Sequence, residues 1–152
     1  MKAVVQRVRN ASVSVDGKIC GAIKYGLLVY LGVAAEDGEK DAEWMADKAA
    51  NLRIFKDEHE KMNLSIKDLG GGAGILAVSQ FTLLGDAGKG RRPYYGEAAE
   101  PVKANKLYGH FMEKIKEHGL VCEAGVFQAR MDVAYTNEGP VTILLDSKAG
   151  GK

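Results

Sequence analysis

Cysteine and proline are scarce in this sequence, which has two cysteines and three prolines among 152 residues. Two cysteines far apart, Cys20 and Cys122, argue against a disulfide framework or a cysteine-rich zinc site, and we expect each to be a small core side chain. No proline-rich linker and no internal repeat divides the chain. We therefore expect a single domain over residues 1–147 and a short flexible tail over residues 148–152.

A membrane-spanning segment is also missing. The longest apolar run covers residues 26–35, which is shorter than the ~20 residues that cross a bilayer as a helix. Gln6 and Arg7 stand where a secretory signal needs apolar residues. These two absences predict a cytoplasmic protein that makes no membrane contact.

Neither sign of charge is in large excess, since 21 Lys and Arg residues face 20 Asp and Glu residues and the net charge is +1. This balance argues against a polyanion-binding tail. The charges are nevertheless segregated: residues 1–25 hold five basic residues and one acidic residue, whereas residues 36–47 hold six acidic residues and one basic residue. Such segregation indicates an oriented anionic partner, with a solvated acidic helix face as the alternative.

The common catalytic motifs are absent. No serine lies in a Gly-x-Ser-x-Gly elbow, and no Gly-Lys-Ser/Thr phosphate loop occurs. His59, His110 and His118 do not have the spacing of metal ligands. Because no nucleophile, general base or metal site stands out, we expect neither a cofactor nor a bound metal.

Hydrophobic periodicity predicts an α+β fold. Alternating apolar residues over 11–15 indicate a half-buried strand, and the apolar run 27–33 indicates a strand buried on both faces. Helical periodicity covers residues 38–52, with Asp37 as N-cap, and residues 101–118. Because the remaining strands come in runs, the sequence predicts a mostly antiparallel, barrel-like sheet with two main helices packed on it.

Two segments place polar groups at the ends of apolar strands. Ser79-Gln80-Phe81-Thr82 follows one such strand, where side chains reach a cleft from a rigid support. Strand-end capping is the alternative interpretation. The segment from Asn137 to Thr142 contains a turn directly before another apolar strand. Both segments are candidates for a functional site.

A third segment joins cations to aromatic residues in a loop. Lys89, Arg91 and Arg92 precede Tyr94 and Tyr95. Cations of this kind contact phosphates, and aromatic rings stack on bases. A solvated basic loop is the alternative interpretation.

The sequence resembles the D-aminoacyl-tRNA deacylases over nearly its whole length. Ser79-Gln80-Phe81-Thr82 and Asn137-x-Gly139-Pro140-x-Thr142 match the two signature segments of that family. Six further blocks occur in the family's order: Gln6-Arg7-Val8, Val15-Asp16-Gly17, Gly26-Leu27-Leu28-Val29, Leu52-Arg53-Ile54-Phe55, Lys61-Met62-Asn63-Leu64 and Arg92-Pro93. Glu138 departs from the family, in which Asp is commoner at this position.

The resemblance implies hydrolysis of the ester that joins a D-amino acid, or glycine, to the 3′-terminal adenosine of tRNA. It implies a homodimer with active sites at the subunit interface. The Gly139-Pro140 bond is expected to be cis and to reach into the partner's site, where the two carbonyl groups face the α-carbon and exclude an L side chain. Asn137 and Thr142 belong to the same substrate-binding segment.

The resemblance also assigns roles to individual residues. Ser79, Gln80, Phe81 and Thr82 form the catalytic segment. The backbone N–H groups of Phe81 and Thr82 are expected to hold the ester oxygen, and Gln80 to position the adenosine or the ester. A nucleophilic Thr82 is the alternative, although no base is evident near it in sequence.

Five further residues complete the expected site. Arg7 supports the cross-subunit loop, and Met131 lines the amino-acid pocket. Lys89, Arg91 and Arg92 contact phosphates of the tRNA acceptor stem. Two other functions compete with this assignment: a non-catalytic RNA-binding module that retains the fold, and a general hydrolase of small esters.

Overall fold

The computed structural model describes residues 1–149 and contains two helices and a curled six-stranded sheet. The strands are β1 (Lys2–Val15), β2 (Lys18–Ile23), β3 (Tyr25–Gly32), β4 (Phe55–Lys56), β5 (Met62–Leu64), β6 (Ala73–Ser79), β7 (Val121–Ala124) and β8 (Asp132–Asp146). The helices are α1 (Glu39–Asn51) and α2 (Pro101–Glu117), with short 3₁₀ turns at Ile66–Leu69 and Phe81–Leu84. The predicted α+β class with two main helices is confirmed.

The main sheet has the order β2-β1-β3-β6-β7, and β8 pairs with the other edge of β1. All pairings of β1 are antiparallel, whereas β3–β6 and β6–β7 are parallel. The two ends of the sheet curl towards each other. A Cβ on Gly21 of β2 would lie 2.4 Å from the carbonyl oxygen of Ala124 in β7, so a side chain at this position would force the ends apart.

Both helices cover the same face of the sheet. Their apolar stripes include Met45 and Ala49 of α1 and Leu107 and Phe111 of α2, all buried against alternate residues of β3 and β6. The opposite face has a second, smaller core inside the curl, built from Val8, Ala11, Val13, Ile23, Leu28, Leu76 and Val78. Successive residues of β3 and β6 therefore belong alternately to the core under the helices and to the core inside the curl, because successive side chains of a strand point to opposite faces.

Two predictions from the sequence are wrong. The N-cap of α1 is Gly38 and not Asp37. The N–H of Gly38 donates a hydrogen bond to the Asp41 carboxylate at 2.9 Å. Cys20 is exposed, because it lies on the outer strand β2, while Cys122 is partly buried as expected of a core thiol.

Asp37 is instead buried and binds the α-amino group of Met1. Its Oδ1 lies 2.6 Å from that nitrogen, and its Oδ2 accepts a hydrogen bond from the N–H of Ala34 at 2.7 Å. Ser147, directly after β8, accepts a second hydrogen bond from the amine at 2.8 Å. The Asp37 carboxylate thus joins the start of β1 to the segment that enters α1, and the amine that it holds also binds the residue that follows β8.

The predicted tail, 148–152, begins at a residue with defined contacts. Lys148 Nζ lies 2.9 Å from Asp41 Oδ1, and residues 150–152 lie outside the described residues. Within residues 1–149, no helix has the length and apolar character needed to cross a membrane.

Replacement of Asp37 by Asn should destabilise the fold, because the buried amine of Met1 would lose its counter-charge. Breaking a buried ion pair costs about 3 kcal/mol or more. We expect a fall of that size in the free energy of unfolding measured in urea. Glu36→Gln is the matched control: Glu36 is exposed, and its loss should change stability by less than about 0.5 kcal/mol. Equal stability of both variants would contradict the role of the Asp37 pair.

Candidate active site

A cleft of about 570 Å³ opens where β6 ends. Most of its lining is apolar: Leu31 and Val33 lie at and just after the end of β3, and Phe127 and Met131 lie in the segment that precedes β8. Ser79, Gln80 and Phe81 also line it, and the first two bring polar side chains. The cleft therefore brings Met131 together with three of the four residues of the first signature, as a substrate pocket requires.

The end of β6 is set by one hydrogen bond. The N–H of Gln80 donates to the carbonyl of Leu31 at 2.8 Å and closes the pairing with β3. The chain then turns into the 3₁₀ segment Phe81–Leu84, in which the N–H of Leu83 donates to the carbonyl of Gln80 at 3.3 Å. The first signature is therefore a strand-to-turn junction on a rigid support.

Phe81 and Thr82 provide the first two N–H groups of this 3₁₀ segment. Neither has a hydrogen-bond acceptor among residues 1–149, because the first residues of a helical turn have no carbonyl behind them to bind. The Thr82 hydroxyl accepts a hydrogen bond from the side-chain amide of Gln80. The junction thus offers two adjacent main-chain donors, and the threonine side chain contacts an amide rather than a base.

The basic loop is attached to the same junction. Phe81 packs edge-on against Tyr95 with ring centroids 5.2 Å apart. Asp86 and Tyr94 exchange two backbone hydrogen bonds of 2.8 Å that close the loop at its base. Its tip carries the exposed side chains of Lys89, Arg91 and Arg92. The three cations therefore project from a loop that starts at the rim of the cleft.

The second signature forms a bulge in β8. Gln6 of β1 is paired with Thr142 and Val8 with Asn137, so residues 138–141 lie opposite Arg7 alone. The Asn137 side chain spans the bulge: its Nδ2 donates to Thr142 Oγ1 at 3.1 Å, and its Oδ1 accepts from the N–H of Val141 at 3.3 Å. The spacing of Asn and Thr is thus the spacing needed to close this bulge.

Gly139 and Pro140 occupy the turn of the bulge, and the peptide bond between them is cis. Gly139 has φ of +121°, a conformation that L residues rarely adopt. A Cβ on this glycine would lie 3.0 Å from Val141 Cγ2 and 3.1 Å from Arg7 Nη2. Glycine is therefore required here by its backbone angle and by the close approach of the arginine.

Arg7 is buried beneath the bulge. Its Nη1 donates to the carbonyl of Ile54 at 2.5 Å, and its Nε lies 3.1 Å from Glu138 Oε2. The Glu138 contact is an ion pair and not a hydrogen bond, because Arg7 Nε has no hydrogen-bond partner within residues 1–149. Sequence reasoning singled out Arg7 but missed the residues that hold it, since nothing in their spacing reveals such contacts.

The two signatures lie apart within one chain. Gly139 of β8 lies opposite Arg7 of β1, and the strand pairings place Ile75 of β6 at the same level of the sheet. Ser79 lies four residues beyond Ile75 along β6, and β6 is three strands away from β8. At ~3.3 Å per residue and ~4.8 Å per strand, they are separated over the sheet by about 13 Å along and about 14 Å across the strands. No residue of 137–142 lines the cleft.

The chain is similar to a known family of proteins over most of its length. Residues 4–146 match the family model described as D-Tyr-tRNA(Tyr) deacylase. The chain belongs to this family. It is 60% identical over 148 residues to a D-aminoacyl-tRNA deacylase of Koribacter versatilis, covering 97% of this chain and 98% of that protein. It is 56% identical over 147 residues to one of Thermotoga petrophila, with 97% of each covered.

Solved structures show the same fold. A chain described as c-Myc DNA Unwinding Element Binding Protein superposes with a TM-score of 0.88 at 42% identity, covering 96% of this chain and 98% of that one. A protein described as a probable eukaryotic D-amino acid tRNA deacylase superposes with a TM-score of 0.80 at 16% identity, covering 95% and 97%. At the latter identity the likeness concerns the fold alone.

Replacement of Gly139 by Ala should distort the bulge, since the new methyl group meets Arg7 and the residue is forced to keep a positive φ. Such backbone strain costs about 1–3 kcal/mol. We expect a lower melting temperature and a loss of deacylation. Gly109→Ala is the control: Gly109 lies within α2, and no atom of residues 1–149 lies within 4 Å of the position of an added Cβ, so this variant should be stabilised slightly. A Gly139→Ala protein as stable and active as the parent would refute the requirement.

Proposed function

We propose that this chain hydrolyses the ester bond between a D-amino acid and the 3′-terminal adenosine of tRNA, using main-chain groups as its chemical machinery. The observation that carries the proposal is that the N–H groups of Phe81 and Thr82 have no acceptor within residues 1–149 and belong to the turn that adjoins an apolar cleft. Membership of the family and the names of the 60% and 56% identical relatives support the reaction. Charged tRNA is used in the cytoplasm, and we propose the same compartment for the enzyme.

The two N–H groups suit the charge that develops during ester hydrolysis. When water adds to the carbonyl carbon, the carbonyl oxygen becomes an oxyanion, and one such donor typically lowers the barrier by about 3–4 kcal/mol. Collapse of the intermediate breaks the bond to the ribose 3′ oxygen, which leaves with a proton as the tRNA hydroxyl. The free amino acid retains the oxygen of water. The neighbouring ribose 2′-OH is suited to orient that water.

Gln80 and Met131 complete the pocket in this proposal. The Gln80 amide, held by Thr82 at the rim of the cleft, positions the adenosine or the ester. Met131 and the aliphatic side chains of Leu31 and Val33 give an apolar wall for the amino acid. Ser79, the last residue of β6, supports the junction.

Rejection of L-amino acids is assigned to Gly139 and Pro140 of a second copy of the chain. Within one copy the bulge and the cleft are far apart along the sheet, while β8 has no second pairing partner among residues 1–149. A symmetric pair of chains would let each bulge reach the other's cleft. The two carbonyl oxygens would then face the α-carbon and block an L side chain sterically, which adds a repulsive term against the wrong enantiomer.

Glycine has no side chain to be blocked, so glycyl-tRNA is expected as a second substrate. Lys89, Arg91 and Arg92 contact the phosphates of the acceptor stem in this arrangement, since their loop begins at the rim of the cleft. Contacts of this kind weaken as salt is added.

The reaction is tested by adding purified chain to matched D-tyrosyl- and L-tyrosyl-tRNA. We expect catalytic amounts to release D-tyrosine rapidly and to leave the L ester intact. Release from both esters would refute the assigned role of Gly139 and Pro140. Tight binding of tRNA without release would instead support a non-catalytic module, and comparable rates on p-nitrophenyl esters would support a general esterase.

Thr82→Ala distinguishes main-chain catalysis from a nucleophilic threonine. If the N–H of residue 82 does the work, the variant should keep its rate within about tenfold of the parent, because the backbone donor remains. A fall of several orders of magnitude in single-turnover rate would restore the side chain as nucleophile. Thr142→Ala is an informative comparison, since this variant loses a hydroxyl from the bulge rather than from the turn that follows β6.

A further inference from the structure

Three side chains converge on the carboxylate of Glu138, next to Gly139. The Tyr25 hydroxyl donates to Oε2 at 3.0 Å, Arg7 Nε lies 3.1 Å from the same oxygen, and Arg9 Nε lies 3.5 Å from Oε1. The Glu138 side chain is 24% exposed and that of Arg7 only 4%. This cluster lies outside the cleft, and the mechanism above gives no role to Tyr25 or Glu138.

We propose that Tyr25 and Glu138 form a latch that holds Arg7 against Gly139 and thereby sets how strictly the enzyme rejects L-aminoacyl esters. The inference rests on the proposed function, and it assigns two specificity-determining positioning residues to the same site. Neither residue is expected to touch the substrate. Both act through the position of the bulge.

Arg7 needs this carboxylate because its guanidinium is buried. Glu138 is the single carboxylate within ion-pair distance of Arg7 in the described part of the chain, and Nη1 is engaged by the carbonyl of Ile54. A buried charge that loses its partner becomes strongly unfavourable. Arg7 Nη2 lies 3.1 Å from the point where a Cβ on Gly139 would stand, so the guanidinium packs closely against the bulge and its position bears on that of Gly139.

Tyr25 makes the latch rigid. It begins β3, and its ring packs edge-on against the buried Phe55 with centroids 5.5 Å apart. Burial raises the pKa of the Tyr25 hydroxyl, and the hydrogen bond to Glu138 raises it further, so the hydroxyl remains a donor at neutral pH. A hydroxyl fixed by a packed ring leaves the carboxylate little freedom.

Arg9 contributes less than its charge suggests. Its side chain is 68% exposed, and exposed ion pairs are screened by solvent. The latch therefore consists of one buried cation, one largely buried carboxylate and one anchored hydroxyl.

The test uses full-length chain and measures kcat/KM on D-tyrosyl-, L-tyrosyl- and glycyl-tRNA. Tyr25→Phe keeps the ring packing on Phe55 and removes only the hydroxyl. Glu138→Gln keeps an acceptor for Tyr25 and removes the charge opposite Arg7, whereas Glu138→Asp keeps the charge on a shorter arm. Glu36→Gln makes the same chemical change as Glu138→Gln at an exposed carboxylate. Circular dichroism confirms that each variant is folded.

We expect the ratio of L to D rates to rise about tenfold in Tyr25→Phe, in line with the loss of one hydrogen bond to a charged group. Glu138→Gln should raise the ratio further, Glu138→Asp should retain most of the parent's selectivity, and Glu36→Gln should not change it. Folded variants whose L to D ratio equals that of the parent would overturn the latch, and so would an equal fall on all three substrates. Inactivity of the parent chain on all three would refute the proposed function, and the latch with it.

Discussion

The long strand β1 is the element on which both signature segments depend. It is hydrogen-bonded along both edges, to β8 on one side and to β3 and then β2 on the other. The bulge at residues 138–141 exists because β8 carries extra residues opposite Arg7 in the middle of β1. The cleft lies at the end of β6, which is held in place by β3 and hence by β1. A change in the register of β1 would move both.

A site made mainly of backbone explains why familiar catalytic motifs are missing from the sequence. The proposed donors are N–H groups that any residue possesses, and what makes them available is the turn that follows β6. The proposed chiral filter consists of carbonyl groups whose position depends on a buried arginine, the Asn137 bridge and the positive φ of Gly139. The side chains named here act by fixing the position of the main chain. Residues with such a role do not form a recognisable catalytic motif in a single sequence.

Local patterns predicted the secondary structure closely. Helices expected over 38–52 and 101–118 span Glu39–Asn51 and Pro101–Glu117, because an apolar stripe with a 3.6-residue period has few other solutions. The same reasoning misassigned Asp37, whose capping preference was overridden by a buried amine that is distant in sequence. It also placed Cys20 in the core, although β2 lies at an end of the sheet and this side chain faces outwards.

The sequence alone determined the α+β class, the two helices and the two signature segments, since each depends on residues close together in the chain. The fold was needed to see that the N–H groups of Phe81 and Thr82 have no acceptor within residues 1–149 and that the second signature forms a bulge over Arg7. The partners of Glu138 were likewise hidden, because Tyr25 reaches it across 113 positions of sequence. Contacts between distant segments arise from the register and curl of the sheet, and no local propensity encodes them.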